Sequence, residues 1–312
     1  MYKTKAVVLE QPGQVVLNSL ALDTPGAGDL VIDIDWSGIS TGTERLLWSG
    51  RMPNFPGMGY PLVPGYESVG RVIEAGALAG VAVGTRVFVP GAKCFGKVNG
   101  LFGGADTKLV VPADRTIVIN DSLGENGILL ALAATAYHVT SMPGAEQPQL
   151  IIGHGVLGRM LARLAVQAGA EPVVWETNPQ RRDGATGYAV VDPTTDARRD
   201  YRIICDVSGD AAILDKLIGR LAPGGEIILA GFYDQPLAFA FAPAFMREAR
   251  LRIAAQWQPQ DLVAVNKLID SGQLSLDGLI THRSAADDAS SAYQTAFSDP
   301  LCLKMVLDWR NA

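Results

Sequence analysis

Three glycines at positions 153, 155 and 158 carry the clearest chemistry in the chain. They stand in Leu150-Ile151-Ile152-Gly153-His154-Gly155-Val156-Leu157-Gly158, with the spacing G-x-G-x-x-G. The apolar run before them reads as a strand. Arg159 to Gly169, with apolar residues at helical spacing, reads as a helix. In such a strand–turn–helix, Gly153 allows the tight turn, Gly155 lets the backbone approach a pyrophosphate, and Gly158 lets helix pack on strand. The helix N-terminus offers unpaired N–H groups and a positive dipole end to phosphate. The expected contact set is Gly153, His154, Gly155, Val156, Leu157 and Gly158, with His154 touching phosphate or nothing.

A second strand, Pro172-Val173-Val174-Trp175, ends in Glu176, where the fingerprint expects an acid. That carboxylate would accept hydrogen bonds from a ribose diol and repel a 2′-phosphate, favouring NAD over NADP. Arg181 and Arg182 lie just beyond and could hold a 2′-phosphate instead. Further strand ends place Ser208, in Asp206-Val207-Ser208-Gly209, and Gly231, in Ala230-Gly231-Phe232-Tyr233, as walls of the same groove.

The elements that position these residues change character along the chain. Residues 4–120 show short apolar or alternating runs separated by Gly, Pro and Asp turns, which suggest a barrel or sandwich. Within them, Thr43 to Glu67 is rich in Pro, Gly, Met and aromatics and reads as a loop. Its Trp48, Phe55 and Tyr60 either form an adaptable apolar wall or pin the loop to the barrel. From residue 123 helices and strands alternate, beginning with a helix over Leu123–Ser141 and including one over Ala211–Leu221. That is the pattern of a doubly wound parallel sheet. After Gln258 a tail of two helices and a last strand, Leu303–Leu307, is expected to rejoin the β-rich part. The expected division is therefore 1–122 with 258–312, and 123–257.

The totals exclude several classes. At 312 residues the chain can bury two cores. A hydrophobic fraction of 48% excludes wholesale disorder, and a net charge of −6 argues against nucleic acid or an anionic membrane. Cys94, Cys205 and Cys302 are far apart, which suggests a reducing compartment and excludes a four-cysteine zinc site. No signal peptide and no apolar run of membrane length is visible, so the expected location is cytoplasmic.

The order of β-rich part, glycine loop and short return resembles the medium-chain alcohol dehydrogenase superfamily. The carriers are Ser37-Gly38-Ile39-Ser40-Thr41-Gly42-Thr43-Glu44, Pro64-Gly65-Tyr66-Glu67, Val83-Gly84-Thr85-Arg86-Val87, Gly103-Gly104-Ala105, Thr135-Ala136-Tyr137-His138 and the glycine loop. The resemblance implies an α/β protein: a GroES-like β-rich catalytic domain plus a Rossmann doubly wound parallel sheet. Members commonly dimerise through the Rossmann edge; the residues alone leave the oligomeric state open. Zinc-bearing members have ligands where Ser40, Tyr66 and a position near Ala131 stand here, and Ser, Tyr and Ala cannot build a tetrahedral zinc site. The resemblance therefore implies a zinc-free member with NAD as hydride acceptor.

Two longer stretches, Asp35 to Gly50 and Phe55 to Glu67, with Val89-Pro90-Gly91-Ala92 and Leu101-Phe102-Gly103-Gly104-Ala105, are similar to one branch. It oxidises the 3-(1-hydroxyethyl) side chain of a bacteriochlorophyllide to acetyl. On that resemblance the proton is managed by Tyr66 with Ser40, Thr41 or Thr43 as relay, and Glu67 works against a phenolate if ionised and close. Arg45 or Arg51 would meet a propionate, and Trp48, Phe55 and Tyr60 would cover one face of the macrocycle. His138 is expected to be a satisfied core histidine and His282 a surface or interface one. Competing readings are an NADPH-dependent quinone or enoyl reductase, an S-adenosylmethionine methyltransferase, and a non-catalytic nucleotide sensor.

Overall fold

The computed structural model describes residues 2–54, 57–142 and 144–312. The chain divides into two compact units, Met1–Ala131 with Leu276–Ala312, and Leu132–Ser275.

The first unit is built on strands. Lys3–Gln11 and Gln14–Ala21 form an antiparallel hairpin, extended by the short strands Leu62–Val63 and Asn99–Gly100 into a four-stranded sheet. A second sheet centres on Asp29–Ile39, which pairs antiparallel with Ser68–Ala75, Lys108–Pro112 and Met305–Asp308. Arg86–Val89, Ile117–Val118 and His282–Ala285 complete it. Val7, Val8 and Leu9 belong to one buried core with Leu30, Ile32, Val63 and Leu109. Burying these apolar side chains stabilises the unit by roughly 25 cal/mol per Å² removed from water.

The second unit is a six-stranded parallel sheet. Its strands lie side by side in the order Ala189–Val191, Val173–Trp175, Leu150–Ile152, Tyr201–Asp206, Leu221–Leu229, Arg250–Ile253. In chain order that is 3-2-1-4-5-6, the doubly wound arrangement, whose strand order reverses beside Leu150–Ile152. The helix Val156–Gln167 buries Val156, Met160, Leu161, Leu164 and Ala165, a stripe at intervals of three and four residues.

Several expectations are corrected. Thr43–Ser49 is a helix rather than loop; Gly50, at φ 70°, ends it in the left-handed conformation that glycine adopts without strain. Leu123–Ser141 is not one helix: a 3-10 stretch, Asp121–Leu129, is broken at Gly124 and the α-helix begins at Leu130. The helix expected over Ala211–Leu221 is short, Leu214–Ile218. The helix Pro259–Asp270 belongs to the second unit, so only the chain from Leu276 onward returns to the first. Among the described residues no helix is long and apolar enough to cross a membrane.

Candidate functional site

In the first unit, two turns bring hydroxyls together. The strand Asp29–Ile39 delivers Ser40, and the turn Pro64-Gly65 delivers Tyr66. Ser40 Oγ and Tyr66 Oη are 2.6 Å apart, a hydrogen bond between two hydroxyls. Thr43 also hydrogen-bonds Tyr66. Thr41, half-buried, lies outside this bonded set. Phe102 meets the Tyr66 ring edge to face, with centroids 5.4 Å apart.

Beneath the hydroxyls lies a buried charged cluster. Glu67 Oε2 accepts from Lys304 Nζ at 2.6 Å, and Lys304 Nζ also reaches the Ile39 carbonyl at 3.4 Å. Both side chains are out of water, and Glu67 Oε1 has no partner among the described residues. Gly38 makes the room: a Cβ there would stand 2.3 Å from Glu67 Oε2. Glu44 Oε1 accepts from the Ser40 amide at 3.0 Å, and Glu44 Oε2 from the Tyr293 hydroxyl at 2.6 Å. Burial lifts the Glu44 carboxyl to about 7, with hydrogen bonds from Tyr293 and Ser40 pulling it down. Burial likewise raises Glu67, and Lys304 opposes the shift.

Burial also raises the Tyr66 phenol, and Glu67 raises it further, outweighing the bonds from Ser40 and Thr43. In this environment the phenol is neutral at physiological pH, and Glu67 opposes the phenolate. The charge partner of Glu67 is Lys304. Sequence reasoning missed Lys304, Glu44 and Tyr293. Two signals existed. Lys304 interrupts the apolar run Leu301 to Leu307, where an unpaired charge would be costly. Glu44 stands four residues past Ser40, one helical turn away.

The residues standing at the superfamily's zinc-ligand positions do not fit that metal. Ser40 and Tyr66 are bonded to each other, and Ala131 offers only a buried methyl. Among the described residues no group of three or more His, Cys, Asp or Glu side chains could hold an ion.

The expected substrate contacts are dispersed. Trp48 packs its ring on Phe297, centroids 5.5 Å apart, and the Tyr60 hydroxyl donates to the Leu47 carbonyl. Both lean on the core of the first unit, as does buried Met52, so these residues pin their segment to the barrel. The Arg45 and Arg51 side chains are exposed. Phe55 lies outside the described residues.

In the second unit, the glycine loop has the geometry of a phosphate cradle. Gly153 sits at φ +103°. A Cβ on Gly158 would stand 1.9 Å from the Gly153 carbonyl oxygen, so helix and strand touch backbone to backbone. A Cβ on Gly155, the helix N-cap, would meet nothing within 4 Å. The first turn of the helix, with Val156, Leu157 and Gly158, thus opens on free space at its N-terminus, which fits a dinucleotide pyrophosphate.

Glu176 ends the neighbouring strand. Its Oε2 accepts from the His154 amide at 3.2 Å and its Oε1 from the Asn178 amide at 2.8 Å. Across the strand reversal, Asp206 ties two walls together. Its carboxylate accepts from the Ser208 amide at 2.9 Å and the Tyr233 hydroxyl at 2.7 Å. Its carbonyl accepts from Ala230 and Gly231.

The expected role of His154 is corrected. Its ring is fully buried, with Nδ1 at 2.6 Å from the Arg181 carbonyl and Nε2 at 2.9 Å from the Tyr188 hydroxyl. Both nitrogens are used inside the protein, and burial lowers the imidazole to about 4, so it is neutral and faces no phosphate. His138 is bonded to Asp261 at 2.8 Å, and half-exposed His282 lies 3.3 Å from Asp299.

Comparison with known proteins agrees with this architecture. The model of the alcohol dehydrogenase GroES-like domain matches residues 26–121. A solved Escherichia coli alcohol dehydrogenase in complex with NADH superposes with a TM-score of 0.82 at 20% identity, covering 98% of this chain and 99% of its own. The 2-desacetyl-2-hydroxyethyl bacteriochlorophyllide A dehydrogenase of Rhodobacter capsulatus is 57% identical over 99% of both chains. That of Cereibacter sphaeroides is 58% identical, again over 99% of both. The chain therefore belongs to the family of these bacteriochlorophyllide dehydrogenases, within the medium-chain alcohol dehydrogenase superfamily.

Proposed function

We propose that the protein oxidises the 3-(1-hydroxyethyl) group of a bacteriochlorophyllide to 3-acetyl, with NAD as hydride acceptor and without zinc. The substrate is inferred from the two relatives, which match this chain end to end. The observation that carries the chemistry is the hydroxyl pair Ser40–Tyr66 at 2.6 Å; the superfamily resemblance implies that zinc-bearing members keep metal ligands at these two positions.

The alcohol must lose a hydride and a proton. NAD, held at the glycine loop of residues 153–158, would be the hydride acceptor. The proton is the task of this chain's own groups. A neutral Tyr66 phenol accepts the alcohol proton as it hands its own to Ser40 Oγ, and Ser40 in turn passes its hydroxyl proton on to solvent water, so one proton leaves per turnover and no isolated phenolate forms beside Glu67. Thr43 steadies the phenol. Glu67 and Lys304 hold the floor of the site as a neutralised pair.

Glu176 supports NAD over NADP, since its carboxylate would repel a 2′-phosphate. Arg182, which could have welcomed one, is ion-paired to Asp192. All three cysteines are buried and none is in a disulfide among the described residues, which suits the cytoplasm. A homodimer through the edge strand Arg250–Ile253 is supported by the apolar surface around it, where Phe241, Phe245, Met246 and Ile253 are exposed.

The test is direct. Purified, metal-analysed protein is mixed with NAD and the hydroxyethyl bacteriochlorophyllide, and the absorbance shift to the acetyl product is followed. Turnover with substoichiometric zinc supports the reading. Turnover that requires bound zinc, or no acetyl product at all, overturns it.

A further inference from the structure

We propose that Asp192 sets the cofactor preference, by holding the Arg182 guanidinium away from the ribose 2′ position. The inference rests on the dinucleotide reading above and adds a residue to it.

Asp192 follows the strand Ala189–Val191, whose Val191 is paired with Trp175, the residue before Glu176. The Glu176 amide donates to the Val191 carbonyl at 3.1 Å, so the two acids end adjacent parallel strands. Asp192 Oδ2 receives Arg182 Nη2 at 2.5 Å. The same guanidinium is folded onto the backbone that carries Glu176: Nε donates to the Glu176 carbonyl at 2.9 Å and Nη2 to the Thr177 carbonyl at 3.2 Å. Asp192 Oδ1 meanwhile accepts from the Thr194 amide at 2.9 Å and its hydroxyl at 2.6 Å. Hydrogen bonds from Thr194 hold the Asp192 carboxyl below its usual range, with Arg182 adding to the effect, so it is ionised at neutral pH.

The backbone of this loop is pinned from the other side. Arg159 Nη2 donates to the carbonyls of Arg181 at 3.0 Å and Asp183 at 2.8 Å, and His154 Nδ1 also bonds the Arg181 carbonyl. A change at Asp192 therefore acts on the Arg182 side chain rather than on the course of the chain. A guanidinium is a planar fork suited to a phosphate dianion. Placed within one side chain's reach of Glu176, it would offset the repulsion that Glu176 exerts on NADP. Asp192 withholds it, so the two acids act together: one repels the phosphate and the other removes its counter-charge.

The experiment measures binding of NADH and NADPH to the full chain by fluorescence titration. The variants are Asp192→Asn, Asp192→Ser (which keeps a hydroxyl for the Thr194 amide) and Asp192→Asn/Arg182→Ala. The ratio in the unaltered protein tests the NAD reading; the change in ratio tests Asp192. The expected result is a shift toward NADPH on the order of tenfold in both single variants, lost again in the double variant. A ratio that stays put in both single variants, or a gain that survives removal of Arg182, overturns the proposal.

Discussion

Lys304 Nζ lies 2.6 Å from Glu67 Oε2, and neither side chain is open to solvent. Such a pair is costly to break from one side, because the survivor is a desolvated charge. Lys304→Met is expected to destabilise the protein by about 3–5 kcal/mol, read from chemical denaturation. Adding Glu67→Gln should recover part of that loss, since it removes the stranded charge. A single variant that unfolds at the same denaturant concentration as the unaltered protein would show that Glu67 gains another partner.

Glu44 makes stability depend on pH in a defined window. Its carboxyl is lifted from an ordinary 4.5 to about 7, chiefly by burial. A group raised on folding contributes its full stability below the unfolded value and loses it as pH rises through the folded one. Stability from this group should therefore fall between about pH 4.5 and 7. Glu44→Gln keeps an acceptor for the Ser40 amide and cannot ionise. Its advantage over the unaltered protein should grow across that window, to about 3 kcal/mol at the top. Thermal unfolding at pH 5 and pH 8 checks this; parallel curves would sink it.

Two glycines of the second unit's glycine loop, Gly155 and Gly158, should fail in different ways. Gly158→Ala places a methyl 1.9 Å from the Gly153 carbonyl, so the helix must move and both melting temperature and NADH binding should drop. Gly155→Ala meets no neighbour in the protein itself. It should melt normally yet bind NADH on the order of tenfold or more weakly, because the methyl occupies the approach to the pyrophosphate. Calorimetry alongside titration separates the two.

Tyr66→Phe removes the hydroxyl that is bonded to Ser40 and proposed to take the alcohol proton. Turnover of hydroxyethyl bacteriochlorophyllide should fall by about 10²–10⁴-fold with NADH affinity unchanged. Ser40→Ala should fall less, because Thr43 still bonds the phenol. Near-normal turnover of Tyr66→Phe would transfer the proton role elsewhere.

What the amino-acid sequence reveals here depends on how local the cause is. The glycine loop is legible because each glycine answers to a contact within a few residues. Ser40 and Tyr66 come together, as the superfamily resemblance implies, although they are far apart in the chain. Thr43–Ser49 is hidden because its helix is one turn longer than a bend and is set among Pro and Gly. Arg250–Ile253 is hidden because an edge strand alternating Arg, Leu, Arg and Ile has no apolar run to announce it. Lys304 is unreadable as a partner of Glu67, because nothing near either residue names the other; only the closed sheet joins them.

The first unit is assembled from both ends of the chain, whereas Leu132–Ser275 is continuous. During synthesis on the ribosome, the nucleotide unit is complete while the barrel still lacks Met305–Asp308 against Ser37 and Ile39. Until the segment carrying Lys304 emerges, Glu67 waits without its lysine. The charge made early is thus quenched only by a residue made after the whole nucleotide unit, and a chain stalled between the two would leave a nascent barrel exposed to quality-control proteolysis.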